Sequence, residues 1–284
     1  MRALMNSNAI NKNSLAINCE ESIKILTNFI RTEVQKAGFS KAVVGLSGGI
    51  DSSLSATLAV LALGKQNVIG VMMPFETSSS ASLSDTRQLV SKLGIPHHLV
   101  EITSMVKPYL EMYPEMDSIR RGNVMARMRM IVLYDISAAE KALVLGTANK
   151  TEYLLGYTTL WGDMACALNP LGDLYKTQVR VLAKYLGLPE SIINKKPSAD
   201  LWAGQTDEEE LGFSYEEADT LLELLIDRRL PPEEAEALGY SRQLIDNIIH
   251  RVHQTQYKRR LPLIAKLSHR SVNRDFQFSG DRDH

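Results

Sequence analysis

The stretch that decides the fold is Lys41–Ser53, KAVVGLSGGIDSS. A short apolar run holding Val43, Val44 and Leu46 leads into two adjacent glycines, then an acid with two hydroxyls. The run reads as a buried strand. Gly48 and Gly49 let the backbone turn sharply and approach a ligand with no Cβ in the way. Past Ile50 the chain becomes LSATLAVLAL, a strong helix former, so the loop delivers backbone N–H groups at a helix N-terminus. Those first-turn amides have no intrahelical partners and the helix dipole is positive there, which favours an anion. Ser47, Ser52 and Ser53 add hydroxyl donors, and Asp51 is a carboxylate able to hold Mg²⁺ beside a phosphate.

Two common phosphate loops do not fit. A Walker A loop needs a lysine reaching the terminal phosphates, and here Asp51 stands where that cation would be. The G-x-G-x-x-G pattern is also absent. The string SGGIDSS instead resembles the pyrophosphate-binding loop of the ATP pyrophosphatases, which split ATP to AMP and pyrophosphate while activating a substrate oxygen. The bland alternative is a serine- and glycine-rich turn, but the match extends over the loop in a strand–loop–helix context.

Composition narrows the class. A chain of 284 residues fits one large α/β domain or a domain with an appended helical region. Lys and Arg total 32 against 33 Asp and Glu, so nothing points to a nucleic-acid-binding surface. Two cysteines, Cys19 and Cys166, exclude a disulfide framework or a C-x-x-C site. No apolar run is long enough to span a bilayer, and the polar start MRALMNSNAINKNS is no secretory signal. The default is a cytoplasmic protein. Residues 1–284 read as a single domain, with a flexible lead-in over 1–17 and a partly disordered tail over 263–284.

In chain order, Ile23, Leu26, Ile30 and Val34 mark one face of a helix over 18–37. Strands are expected at Asn67–Met73, His97–Ile102 and Ala142–Leu145. Helices are expected around Ser84–Leu93, near Met105–Leu110, over Gly122–Lys141 and from Lys176. Strands alternating with helices argue for right-handed crossovers and a doubly wound parallel sheet. Ligands of such sheets bind beyond the carboxyl ends of the strands, so Thr147, Asn149, Lys150 and Glu152 arrive at the same edge as Asp51. Two carboxylates at one phosphate site are most simply explained by a shared Mg²⁺. Residues 153–173 show no period and read as a mobile loop over the site. Pro197–Leu211 is a second irregular stretch, and its acidic run Asp207–Glu210 reads as a solvated helix start. Amphipathic helices follow at Tyr215–Ile226, Pro232–Leu238 and Ser241–Gln256.

Seven blocks then carry a more specific likeness: LSGGIDSS, GNVMARMRM, GTANKTE, GYTTLWGDM, PLGDLYKTQVR, KPSADLWAGQTDEEELG and YKRRLP. In this order they resemble the NAD synthetases, which join ammonia to the nicotinate carboxyl of deamido-NAD using ATP and Mg²⁺ through an adenylated intermediate. The resemblance implies the α/β adenine-nucleotide alpha-hydrolase-like fold of the pyrophosphate-loop class. It implies that Gly45, Leu46, Ser47, Gly48, Gly49, Ile50, Asp51 and Ser52 wrap the ATP phosphates and that Asp51 and Glu152 bind Mg²⁺. Thr147, Lys176 and Ser198 match positions contacting ATP, Arg127, Tyr257 and Lys258 match positions touching deamido-NAD, and Asp163 matches an aspartate near the incoming ammonia. Lys176 and Asp163 are the expected catalytic pair. A homodimer with the dinucleotide at its interface is also implied.

Leu160 stands where many members have a lysine, and Ala167 where they have an aspartate. YTTLWGDM is closer to the form in glutamine-dependent members, which leaves room for a separate amidase partner. An amidase domain would not fit into the residues up to Ser40, so ammonium is the expected nitrogen donor. Rival readings are a GMP-synthetase-like ligase, which shares the SGG loop but not GTANKTE with the YTTLWGDM block, and a tRNA-thiolating enzyme, which would carry paired cysteines. A non-catalytic nucleotide-binding module would not need Asp51, Glu152 and Asp163 together.

Overall fold

The computed structural model describes residues 15–198, 206–269 and 271. The expected lead-in lies mostly, and the tail beyond 271 wholly, outside them, as does the middle of the Pro197–Leu211 stretch.

Four parallel strands form the sheet: β1 (Lys41–Leu46), β2 (Val68–Met72), β3 (His97–Leu99) and β4 (Ala142–Leu145), in the order β3-β2-β1-β4. Their apolar residues alternate between two cores, as a pleat with both faces covered requires. Val44 and Leu46 of β1 with Val68 and Met72 of β2 face one core; Val43 with Ile69 and Val71 faces the other. On the first face pack α1 (Cys19–Lys36), α2 (Ile50–Leu63) and α3 (Ser80–Leu93). The opposite face is covered by α4 (Thr103–Glu111) and α5 (Ser118–Glu140).

After β4 come α6 (Lys150–Leu155), α7 (Lys176–Tyr185), which returns to the first face, and α8 (Glu190–Ile193). The remainder is helical: α9 (Asp207–Leu211), α10 (Tyr215–Leu222), α11 (Pro232–Ala237) and α12 (Arg242–Gln254). It has its own core, in which Leu155 and Tyr175 meet Tyr215, Leu221, Ile245 and Ile248. The helical C-terminal region therefore grips α6 and the start of α7.

Three elements differ from expectation. Helix α5 begins at Ser118 because the Asp117 carboxylate caps it, accepting the Arg120 amide at 2.7 Å. Strand β3 ends at Leu99, although Val100 and Ile102 amides still donate to Met72 and Pro74 carbonyls. The stretch after α6 is pinned rather than free: the Ala167 amide donates to Val144 and the Gly146 amide to Leu168, so it pairs alongside β4.

The strand order sets the place of the site. From β1 the chain steps outward to β2 and β3, then returns to β4 on the other side of β1. The crevice between the carboxyl ends of β1 and β4 is thus the topological switch point, where ligands of open α/β sheets bind.

Candidate active site

The loop after β1 is built for an anion. Gly48 sits at φ +75°, open to glycine, and a Cβ there would lie 2.3 Å from the Ser82 carbonyl oxygen. Helix α3 thus packs against the loop backbone itself. Gly49 caps α2 without any side-chain hydrogen bond to the first-turn amides. The hydroxyls of Ser52 and Ser53 donate to the Gly49 carbonyl at 3.1 and 2.7 Å, holding the turn from within. Ser47 accepts the Gly49 amide at 3.2 Å.

Asp51, in the first turn of α2, meets residues from beyond β4. Lys176 opens α7, is 3% exposed, and its Nζ lies 2.5 Å from Asp51 Oδ2 and 3.1 Å from Glu152 Oε1. Asn149 donates to Asp51 Oδ1 at 2.9 Å and also caps α6, accepting the Glu152 amide while Glu152 Oε2 accepts the Asn149 amide. Asp219 of α10, fully buried, accepts Thr151 Oγ1 at 2.5 Å and the Thr177 amide at 2.8 Å, tying the starts of α6 and α7 together.

Burial acts to lower the Lys176 ammonium, but the charges of Asp51 and Glu152 outweigh it and hold it well above its ordinary range. Glu152 is pushed upward, first by burial, with the Lys176 charge opposing and the Asp51 charge adding. Two carboxylates from opposite sides of the switch point thus bracket one positive charge. The oxygen donors of Asp51 and Glu152 suit Mg²⁺. Among the described residues no group of three or more His, Cys, Asp or Glu is placed to hold a metal alone, so nucleotide phosphate oxygens would have to complete its shell.

A second cluster gathers at the other end of α6, about 9 Å along for its six residues. Lys258 donates to the Gly156 and Thr158 carbonyls, both at 2.8 Å. Arg127 Nε donates to the Leu160 carbonyl at 3.2 Å, and Asp163 Oδ1 accepts the Thr159 amide at 2.6 Å. Burial of its carboxyl pushes Asp163 up to about 6, against the Thr159 amide and the charges of Lys258 and Arg127. The residue keeps an exposed side, and solvent there limits that shift. Trp161, at φ +58°, and Tyr257 line a cleft of about 440 Å³ with His253, Arg260 and Leu261.

The structure thus joins Asp51, Glu152 and Lys176 directly and sets Arg127, Asp163, Lys258 and Tyr257 around one loop. Thr147 lies half-buried between β4 and α6, and Ser198 is exposed at the edge of the described residues. Three further side chains take part: Asn149, expected at this edge but without a role, and Lys195 and Asp207, which the sequence did not bring to the site. Asn149 bridges the two carboxylates. Lys195 donates to the Gly48 carbonyl, Ser82 Oγ and Asp85 at 3.3, 2.8 and 3.2 Å, bracing the phosphate loop. Asp207 corrects the reading of its acidic run as solvated: it is 3% exposed and turned inward, accepting the Tyr215 hydroxyl at 2.9 Å. Only the tandem KK before PSAD hinted at Lys195; an acid four residues ahead of the apolar Leu211 was the sole sign of Asp207.

A parallel sheet with a glycine-bent anion loop and paired carboxylates at its switch point defines a nucleotide-using enzyme of the pyrophosphate-loop class. The NAD synthase family model matches residues 22–262, and the chain belongs to that family. It is 51% identical to the NH(3)-dependent NAD(+) synthetase of Trichlorobacter lovleyi over 94% of this chain and 98% of that one. It is also 51% identical to the protein of the same name from Fusobacterium nucleatum, over 90% and 99% of the two chains. Among solved structures, the NH3-dependent NAD synthetase from Campylobacter jejuni superposes with a TM-score of 0.76 at 35% identity, covering 88% of this chain and all of that one. The NMN synthetase from Francisella tularensis superposes at 0.79 with 31% identity, over 89% of this chain and all of that one.

Proposed function

We propose that this chain amidates deamido-NAD with ammonia, consuming ATP and releasing NAD, AMP and pyrophosphate. The observation carrying this reading is the meeting of Asp51 and Glu152 on Lys176 beside the Gly48 loop. A carboxylate is a poor acyl donor because oxide is a poor leaving group. In the first step the nicotinate oxygen attacks the α-phosphorus, the bond to the pyrophosphate breaks, and an acyl adenylate forms. Amides of residues 45–52 cradle the phosphates, and Lys176 offsets charge gathering on the departing pyrophosphate. Asp51 and Glu152 would hold Mg²⁺, whose part is to neutralise that charge further. In the second step NH₃ attacks the carbonyl carbon and AMP leaves. Asp163 as carboxylate attracts ammonium and takes its proton, a transfer that its burial-raised basicity supports. Arg127, Tyr257 and Lys258 hold the dinucleotide, with Thr147 and Ser198 on the ATP.

With purified protein, deamido-NAD, ATP, Mg²⁺ and ammonium should yield NAD, AMP and pyrophosphate in equal amounts. Ammonia-free glutamine should give far less, and nicotinate mononucleotide should be the poorer acceptor. Formation of ADP and phosphate would overturn the reading.

Among the described residues no helix is long and apolar enough to cross a membrane. Free Cys19 and Cys166 fit the reducing cytoplasm, the compartment of this reading. A homodimer is supported by apolar side chains left open just past α4 and on α5: Met112 and Ile119 are each 67% exposed and Ile131 54%. Sedimentation should return twice the chain mass, and Ile119→Asp with Ile131→Asp should shift it towards monomer; a monomeric wild type would sink this part. The YTTLWGDM surface is where a separate amidase could dock.

A further inference from the structure

One buried acid at the site is unused by this mechanism. Asp207 opens α9, and its amide donates to the Pro197 carbonyl at 3.0 Å. Its Oδ2 accepts the Tyr215 hydroxyl, while Oδ1 is buried and accepts no hydrogen bond. The nearby Tyr157 hydroxyl donates to Glu210 and is close enough to favour the charged form of Asp207 as well. A sealed carboxylate oxygen without a donor is costly to keep, and such an orphan calls for an explanation.

The unmatched partner is close. An ammonium has three protons, and Lys176 spends two on Asp51 and Glu152. Its Nζ lies 5.2 Å from the centre of the Tyr215 ring, whose hydroxyl holds Asp207. Lys176 and Asp207 attract one another through space with no hydrogen bond between them.

We propose that Asp207 is a second seat for Lys176, receiving its ammonium on Oδ1 when a divalent cation takes Asp51 and Glu152. This rests on the metal reading above. Two cations cannot keep the same two carboxylates without repelling each other. A buried ammonium stripped of its counter-ions would be strongly destabilised. The lysine stem has rotatable bonds enough to turn, and Asp207 offers a buried acceptor atom that has no hydrogen-bond partner among the described residues. Asp207 would then be a positioning residue: it acts through Lys176, keeping that charge near the leaving pyrophosphate.

The test is calorimetric titration with α,β-methylene-ATP, which cannot be cut at the scissile bond, with and without Mg²⁺. Asp207→Asn keeps the acceptor for Tyr215 and removes the charge. It should reduce the Mg²⁺-dependent gain in affinity by about tenfold, the scale of a coupling between two ligands, while metal-free affinity stays within about threefold. Tyr215→Phe removes the hydrogen bond and keeps the charge; it should lower the melting temperature yet preserve the gain. Asp207→Glu, which carries the test should the amide variant fail to fold, should give an intermediate gain. An undiminished gain in either Asp207 variant overturns the proposal, as does Tyr215→Phe reproducing the full loss. A wild type that binds the analogue no better with Mg²⁺ overturns the metal reading itself, and this inference with it.

Discussion

Asp51→Asn or Glu152→Gln should each lower turnover by about 10²–10³-fold, the scale of removing one charge-stabilising group aimed at a developing anion. The substitutions keep size and hydrogen-bonding shape. In Asp51→Asn the amide oxygen can still accept from Asn149, which now donates to the carboxylate at 2.9 Å. In Glu152→Gln the side-chain oxygen can still accept the Asn149 amide and complete the cap. What disappears is one of the two carboxylate charges that Lys176 donates to, and one ligand for the cation. The variants should fold cooperatively, and the Mg²⁺ concentration for half-maximal rate should rise. Steady-state rates across a Mg²⁺ series read both effects. Near-normal turnover with unaltered Mg²⁺ dependence would reduce the residue to a helix-end group.

Gly48→Ala should be nearly as damaging through sterics alone. The position lies at φ +75°, where a Cβ costs roughly 1–2 kcal/mol. The new methyl would also sit 2.3 Å from the Ser82 carbonyl oxygen, which is backbone at the start of α3 and has little room to yield. Either the phosphate loop or α3 must move, and a displacement near 1 Å at a reacting group lowers rates by about 10²-fold. Most of the loss should appear in ATP binding, as a raised KM. Gly38→Ala is the matched control: φ there is +79°, but no heavy atom lies within 4 Å of the added methyl. It should lose stability and keep activity. If both variants retain full activity, the close approach at Gly48 has no part in holding phosphate.

Local pattern carried much of the fold. The buried strands were legible because both their faces are covered, which leaves unbroken apolar runs such as VIGVM in β2. Chemistry at the first loop was legible because two glycines, an acid and a helix start are adjacent in sequence. The meeting of Asp51 with Lys176 was not, since 125 positions separate them and only the sheet's switch point brings them together. Family resemblance assigned each of them to the ATP site but did not pair them. Asp207 was misread because four consecutive acids carry no mark of which one turns inward; Tyr215 and the Lys176 charge decide that in three dimensions. The stretch after α6 lacked any period because its two hydrogen bonds to the β4 edge involve backbone atoms, which leave no trace in side-chain pattern. The start of α5 was placed late for a similar reason: its first turn holds Arg120 and Arg121 and begins on a cap, not an apolar face.

Helix α6 has six residues, too few to persist alone in water. Its amino end is fastened by Asn149 and Glu152, the same side chains that reach Asp51 and Lys176. Unwinding that end would therefore part the site's charges in the same motion. The free energy of local opening in this segment includes the contacts of the site's own groups beside those of Asp219 and the helical core, and a ligand that rearranges those charges also resets how often the segment exchanges its amide protons with water. At this point of the chain the scaffold and the chemistry share atoms.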